Sequence, residues 1–166
     1  FFSAADTLKD FIAHAKAVQS TVILTSNDQL PAIIQKQSAA GTPMLLAPEA
    51  AKRLPRDIGT LYRETMTHQD IADYATGITL PLYAIAATGS LLEIRAARVS
   101  LIPPHHIAIL PASRILPRLH DALPHIPTST NSTIITGPSR TADIEKRIVI
   151  GAHGPKQLTI IIIKDE

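Results

Sequence analysis

Residues Thr136-Gly-Pro-Ser-Arg-Thr-Ala-Asp-Ile-Glu145 and, shortly after, Gly151-Ala-His-Gly-Pro155 bring hydroxyls, a guanidinium, two carboxylates and an imidazole into one short stretch. A strand ending at Thr136 would enter Gly137-Pro138 and leave Ser139 to cap a helix starting near Arg140. The free N–H groups of such a helix start attract an anion, with Ser139, Arg140 and Thr141 as supplementary donors. The same residues serve as an ordinary Ser cap after a Gly–Pro turn, with Asp143 complementing the helix dipole. Spacing alone favours that plainer use. Asp143, Glu145 and His153 are types that bind a metal or share a proton. Residues two apart on a helix do not face each other, so Asp143 and Glu145 would not converge, and no metal site is expected. His153 lies between Gly151 and Gly154, which allow a ligand to approach closely. A locally hydrogen-bonded loop histidine is the equal alternative.

Two further constellations stand upstream. Thr88-Gly89-Ser90 offers two hydroxyls and several N–H groups, either as an anion nest or as a plain hairpin turn, and the turn is the simpler reading. Pro103-Pro-His-His106 opens an apolar strand, where adjacent histidines point to opposite faces and at most one can serve a given site. Neither a Walker loop, a dinucleotide fingerprint, a nucleophile elbow, an HExxH helix nor an EF-hand occurs.

The elements that must carry these residues alternate along the chain. Leu8, Phe11, Ile12 and Ala15 recur at helical spacing, predicting an amphipathic helix over residues 4–19. Thr21-Val-Ile-Leu24 reads as a strand. Asn27 or Asp28 can cap a helix reaching about Ala40, and Pro43-Met-Leu-Leu46 is the next strand. Residues 48–63 mix a helical turn with a strand near Gly59 to Arg63. A short helix over 68–74 leads to the strand Gly77-Ile-Thr-Leu80. Ala84–Ala87 enters the Thr88–Ser90 turn, and Leu91–Ile94 leaves it extended. His106–Leu110 is a buried strand, and Ser113 would cap a helix to Leu123 with Pro117 early in it or kinking it. Residues 124–131 are a polar loop, and Ile134-Ile135 and Leu158–Ile163 are closing strands. Apolar strands separated by helices imply a sheet covered on both faces, and the strand-rich part after residue 77 implies mixed, hairpin-like portions.

At 166 residues with 45% hydrophobic and 18% charged residues, one soluble domain over residues 1–166 is expected. With three Phe, three Tyr and no Trp, its core must be aliphatic. A formal charge of +2, without a Lys/Arg cluster among aromatics, gives no argument for nucleic acid, and no nucleic-acid partner is expected. The absence of Cys excludes disulfides, thiolate metal sites and cysteine-ligated iron–sulfur clusters within this chain. The run Leu158–Ile163 is far shorter than a membrane span, and no signal-peptide pattern opens the sequence, so a cytoplasmic location is expected. Residue 1 is Phe, so the numbering need not begin at a native start.

The two C-terminal motifs, in that order and at that separation, resemble the lactate-utilisation protein C family, the LUD domain. The resemblance extends to Tyr83-Ala-Ile-Ala-Ala-Thr-Gly-Ser90 and Ser100-Leu-Ile-Pro-Pro-His-His-Ile107. It covers residues 76–163 closely and the first 75 only by general α/β pattern. It implies a three-layer α/β/α domain with a mostly parallel, mixed sheet, similar to the sugar-phosphate isomerase and CoA-transferase (NagB/RpiA/CoA-transferase-like) superfamily. It further implies an accessory role in bacterial oxidation of L-lactate to pyruvate, beside iron–sulfur partner proteins, with this chain binding a small anion or a partner. The cofactor stays unassigned. The resemblance marks Thr88, Gly89, Ser90, His106, Gly137, Ser139, Asp143, Glu145, His153 and Gly154; the chain departs at Ala87, where the family pattern has Glu. The alternative is a stand-alone enzyme on a small phosphorylated or carboxylated metabolite, with Ser90, Ser139 and His153 sharing one pocket.

Overall fold

The computed structural model describes residues 3–38, 41–142, 148–150 and 154–164. The first helix, α1 (Ala4–Ala17), starts where the Ser3 hydroxyl accepts the Asp6 N–H at 3.1 Å, and it buries Thr7, Phe11 and Ala15 along one stripe. There follow β1 (Thr21–Thr25), α2 (Leu30–Gln37), β2 (Met44–Leu46), α3 (Pro48–Ala51), β3 (Thr60–Leu61), α4 (His68–Ala72) and β4 (Thr76–Thr79). Next come β5 (Tyr83–Ile85), β6 (Ser90–Ile94), α5 (Ala97–Leu101), β7 (His105–Pro111), β8 (Ile115–Leu116) and α6 (Leu119–Ala122). The described chain closes with β9 (Ser132–Ile135), β10 (Arg140–Ala142), β11 (Ile148–Ile150) and β12 (Gln157–Ile163).

Six strands form one parallel sheet in the order β1-β12-β7-β4-β2-β3. Its central strands are apolar on both faces because both faces are covered. Ile107, Ile109, Ile161 and Ile163 pack with Leu30 and Ile34 of α2 and with Ala50 of α3. The alternate residues Ala108, Leu110, Ile160 and Ile162 pack with Phe11 and Ala15 of α1 and with Ala84 and Leu91 of the β5–β6 hairpin. Leu45 and Val99 join Ile71 of α4 in a further cluster. The α/β architecture is thus the expected one. The mixed, hairpin-like portion is a separate four-stranded sheet, β8-β5-β6-β9, lying with α1 over one face of the parallel sheet. Among the described residues no helix is long and apolar enough to cross a membrane.

Three local expectations change. The second helix starts at Leu30 rather than just after Asn27 or Asp28; Pro31 occupies its first turn, where a missing N–H costs nothing. No α-helix runs on from Ser113, which lies in a single 3-10 turn, Ala112–Arg114. Pro117 drives Leu116 into extended backbone, Ile115 and Leu116 pair with Ala84 and Ile85, and the helix begins only at Leu119. Nor does one start at Arg140: Arg140, Thr141 and Ala142 pair antiparallel with Ile150, Val149 and Ile148. A β-branched partner strand outweighs a single capping serine there.

Candidate functional site

Thr79 and His106 sit on neighbouring parallel strands, with Gly77 opposite His106 in the register, so all three share one face. Gly77 must lack a side chain, because a Cβ there would stand 1.8 Å from the Val99 carbonyl oxygen of α5. The second sheet brings Glu93 of β6 onto the same spot. The Thr79 hydroxyl donates to Glu93 Oε1 and lies 2.8 Å from His106 Nε2, which is 3.2 Å from Glu93 Oε1. With the Thr79 proton committed to the carboxylate, Nε2 must carry the imidazole proton to satisfy both contacts. Thr79, Glu93 and His106 are all buried. Burial pushes the Glu93 carboxyl up, but attraction to His106 and hydrogen bonds from His106 and Thr79 outweigh it and hold the group below its ordinary value. Glu93 Oε2 and His106 Nδ1 have no partner among the described residues.

The parallel sheet also has a topological switch point. From β2 the chain moves outward to β3; from β4 it moves the opposite way to β7 and then β12. The carboxyl ends of β2 and β4 therefore flank a crevice, the place where open α/β sheets bind ligands. A cavity of about 700 Å³ lies there, walled by Ala47 after β2, Leu80 after β4, Tyr62 after β3, the cations Arg95 and Arg114, and the acids Glu49 and Glu64. Arg114 is fixed in position, its Nη1 donating to the Pro81 carbonyl at 3.1 Å. Arg95 stands in left-handed backbone at φ 55°, a conformation that a non-glycine residue adopts at a local cost. The buried cluster lies one residue behind this wall: Thr79 precedes Leu80, and Glu93 precedes Ile94, which also lines the cavity.

The residues singled out by sequence gather elsewhere. Thr88, Gly89 and Ser90 join β5 to β6, and the hydroxyls run Thr88–Ser90 at 2.7 Å and Ser90–Thr136 at 2.8 Å. Gly89 has φ 65°, and a Cβ on it would come within 2.3 Å of the Ala15 nitrogen of α1. Gly137 likewise, at φ 73°, packs where a Cβ would meet the Val18 carbonyl at 2.2 Å. Arg140 Nη2 donates to that same carbonyl at 3.3 Å. The Ser139 N–H bonds the Pro155 carbonyl at 2.9 Å, beside Gly154. These residues surround the C-terminus of α1, near the amino-terminal edge of the parallel sheet. β6 runs from this edge toward the cavity.

His106 is separate from that group, inside the buried cluster. Thr141 lies in β10, while Asp143, Glu145 and His153 fall outside the described residues. Sequence reasoning passed over Thr79, Glu93, Arg95 and Arg114. The signal for one of them was present: an acid inside the apolar strand Leu91-Leu-Glu-Ile94 needs a buried partner.

A sequence profile of the LUD domain matches residues 8–163. Lactate utilization protein C of Macrococcus caseolyticus (strain JCSC5402) is 36% identical over 104 residues, 54% of this chain and 44% of that protein. The chain thus spans about half the length of such curated relatives, as the 44% covered of the Anoxybacillus flavithermus (strain DSM 21510 / WK1) protein of the same name, 35% identical, repeats. A lactate utilization protein C from Geobacillus thermodenitrificans (strain NG80-2) is 26% identical over 99% of this chain and 81% of its own length. The crystal structure of a DUF162 family protein from Deinococcus radiodurans superposes with a TM-score of 0.75 at 18% identity, covering 98% of this chain and 99% of that one. That likeness establishes the fold.

Proposed function

The chain belongs to the LUD domain family, and from that membership we propose that it serves in bacterial L-lactate utilisation as an accessory component that holds a small anion. Electron transfer falls to separate iron–sulfur partner proteins, since a chain without cysteine cannot ligate such a cluster through thiolates. The observation that carries the reading is the cavity at the switch point, where Arg95 and the anchored Arg114 offer cationic donors to a carboxylate, while Glu49, one of the two acids on the same wall, is engaged by Lys52 at 2.7 Å. The relatives' names supply the metabolic setting.

Deletion of the gene in its host, with growth on L-lactate as sole carbon source, tests the setting. Loss of growth is expected, and unimpaired growth would overturn the proposal. Titration of the purified chain with L-lactate and pyruvate, followed by amide chemical shifts, tests the binding. Arg114→Ala should weaken it, whereas a Ser90→Ala, Ser139→Ala pair should do so only if the turns around the end of α1 hold the anion instead.

A second reading, a stand-alone enzyme on a small phosphorylated or carboxylated metabolite, draws on the Glu93–His106 pair immediately behind the cavity wall. A buried acid held below its ordinary value beside a cleft often belongs to an active site. Turnover of such a metabolite by the purified chain, without partners, would favour it over the accessory role.

A further inference from the structure

On the far side of Arg114 lies a second cavity, of about 410 Å³, lined by Asn27, Arg53, Pro111, Ser113, Arg114, Ile163 and Lys164. It opens at the carboxyl ends of β1, β12 and β7, along the same edge of the sheet as the larger cavity. Among the described residues that line it, three side chains are cationic and none is acidic. Among the described residues Arg53 and Lys164 form no ion pair. Arg114 lines both cavities, and its bond to the Pro81 carbonyl holds it between them.

We infer that the smaller cavity is a phosphoryl-binding subsite and that one organic phosphate spans both cavities across Arg114, its body in the larger one. Charge decides the class of ligand. A monocarboxylate such as lactate would neutralise one of the three cations, whereas a phosphoryl dianion answers two and presents oxygens in the directions that guanidinium forks favour. Size agrees. A three-carbon acid leaves most of a 700 Å³ cavity empty, while a ligand reaching from one cavity to the other would use both. For the larger half, this inference rests on the anion-binding reading above; the phosphoryl half adds Arg53 and Lys164, which line only the smaller cavity.

The test is calorimetric titration of the purified protein with inorganic phosphate and with phenyl phosphate, a phosphate carrying a compact apolar body. Both should bind, phenyl phosphate more tightly. Arg53→Ala and Lys164→Ala, both at exposed positions, should each weaken either probe by about tenfold, the effect of losing one charge-assisted bond. Neither change should alter the amide shifts produced by L-lactate. Arg114→Ala should weaken phenyl phosphate more than phosphate. Absence of phosphate binding at millimolar concentration, or binding indifferent to Arg53 and Lys164, overturns the subsite. Equal affinity for the two probes overturns the spanning ligand. Normal growth on lactate would sink the metabolic proposal and leave the phosphate titration intact, so the two failures are distinguishable.

Discussion

Glu93 and His106 meet inside the protein, with Oε1 and Nε2 3.2 Å apart and neither side chain more than 1% exposed. Removing two polar side chains from water carries a desolvation cost that close contact only partly recovers. Here Thr79 bridges them, so the hydroxyl is as much a part of the arrangement as the acid and the base. The pair ties β6 of the second sheet to β7 of the parallel sheet, and β6 leads directly into the cavity wall at Ile94 and Arg95.

Glu93→Gln keeps the shape and removes the charge. It should destabilise the fold by about 1–3 kcal/mol, the usual cost of disrupting a buried polar contact. Urea unfolding at neutral pH measures it. Stability equal to that of the parent chain would mean that Glu93 is already uncharged.

Stability should fall on the acid side in two windows. His105, whose Nε2 contacts the Thr159 hydroxyl at 2.9 Å, is held below the imidazole value of 6.5 by burial and by the neighbouring His106. The fold favours its neutral form, so its contribution is complete above 6.5 and is lost as pH drops below that point. Glu93 lies below 4.5, so its contribution is present above 4.5 and is lost as pH falls further, through its lower folded value. Melting temperature against pH should show both steps, and His105→Gln should abolish only the first.

Arg95→Gly separates strain from binding. At φ 55° glycine relieves a backbone cost of about 1 kcal/mol while adding a similar entropic cost in the unfolded chain. The variant should melt within a few degrees of the parent and bind a carboxylate about tenfold more weakly. Unaltered binding would remove Arg95 from the site.

Gly77→Ala should be among the most damaging small changes. Its methyl would stand 1.8 Å from backbone of α5, which cannot rotate away, so a loss of at least about 3 kcal/mol is expected. Soluble expression with a native-like circular dichroism melt would refute this.

Arg140→Ala, by contrast, should cost less than about 1 kcal/mol. Among the described residues the exposed guanidinium makes one 3.3 Å bond, to the Val18 carbonyl, which water can replace. A thermal melt suffices to check it.

The parts of the fold that were legible in the sequence are those whose neighbours impose a pattern. The β7 and β12 strands read as unbroken aliphatic runs because helices cover one face and α1 with the second sheet covers the other. The helix expected after Ser139 failed because capping is a local signal, and the antiparallel partner Ile148–Ile150 is not local. Much the same holds for the site. Thr88, Ser90 and Thr136 stood out as a motif, and the structure joins them by hydroxyl contacts at the end of α1. Arg95 and Arg114 carry no motif. They reach one cavity because β6, which ends just before Arg95, and β8, which starts just after Arg114, both pair with β5, and topology of that kind leaves no mark on residue spacing.

The strand order also bears on synthesis. β12, the last strand in sequence order, lies between β1 and β7, pairing with the first strand over Thr21–Thr25 and with β7 along its whole length. The emerging chain therefore holds β1 and β7 without the strand that joins them, each with an open edge. Such edges invite pairing with other chains until the gap closes. A ribosome-bound fragment ending before Gln157 should consequently engage chaperones, whereas a chain that includes Gln157–Ile163 can close the gap between β1 and β7.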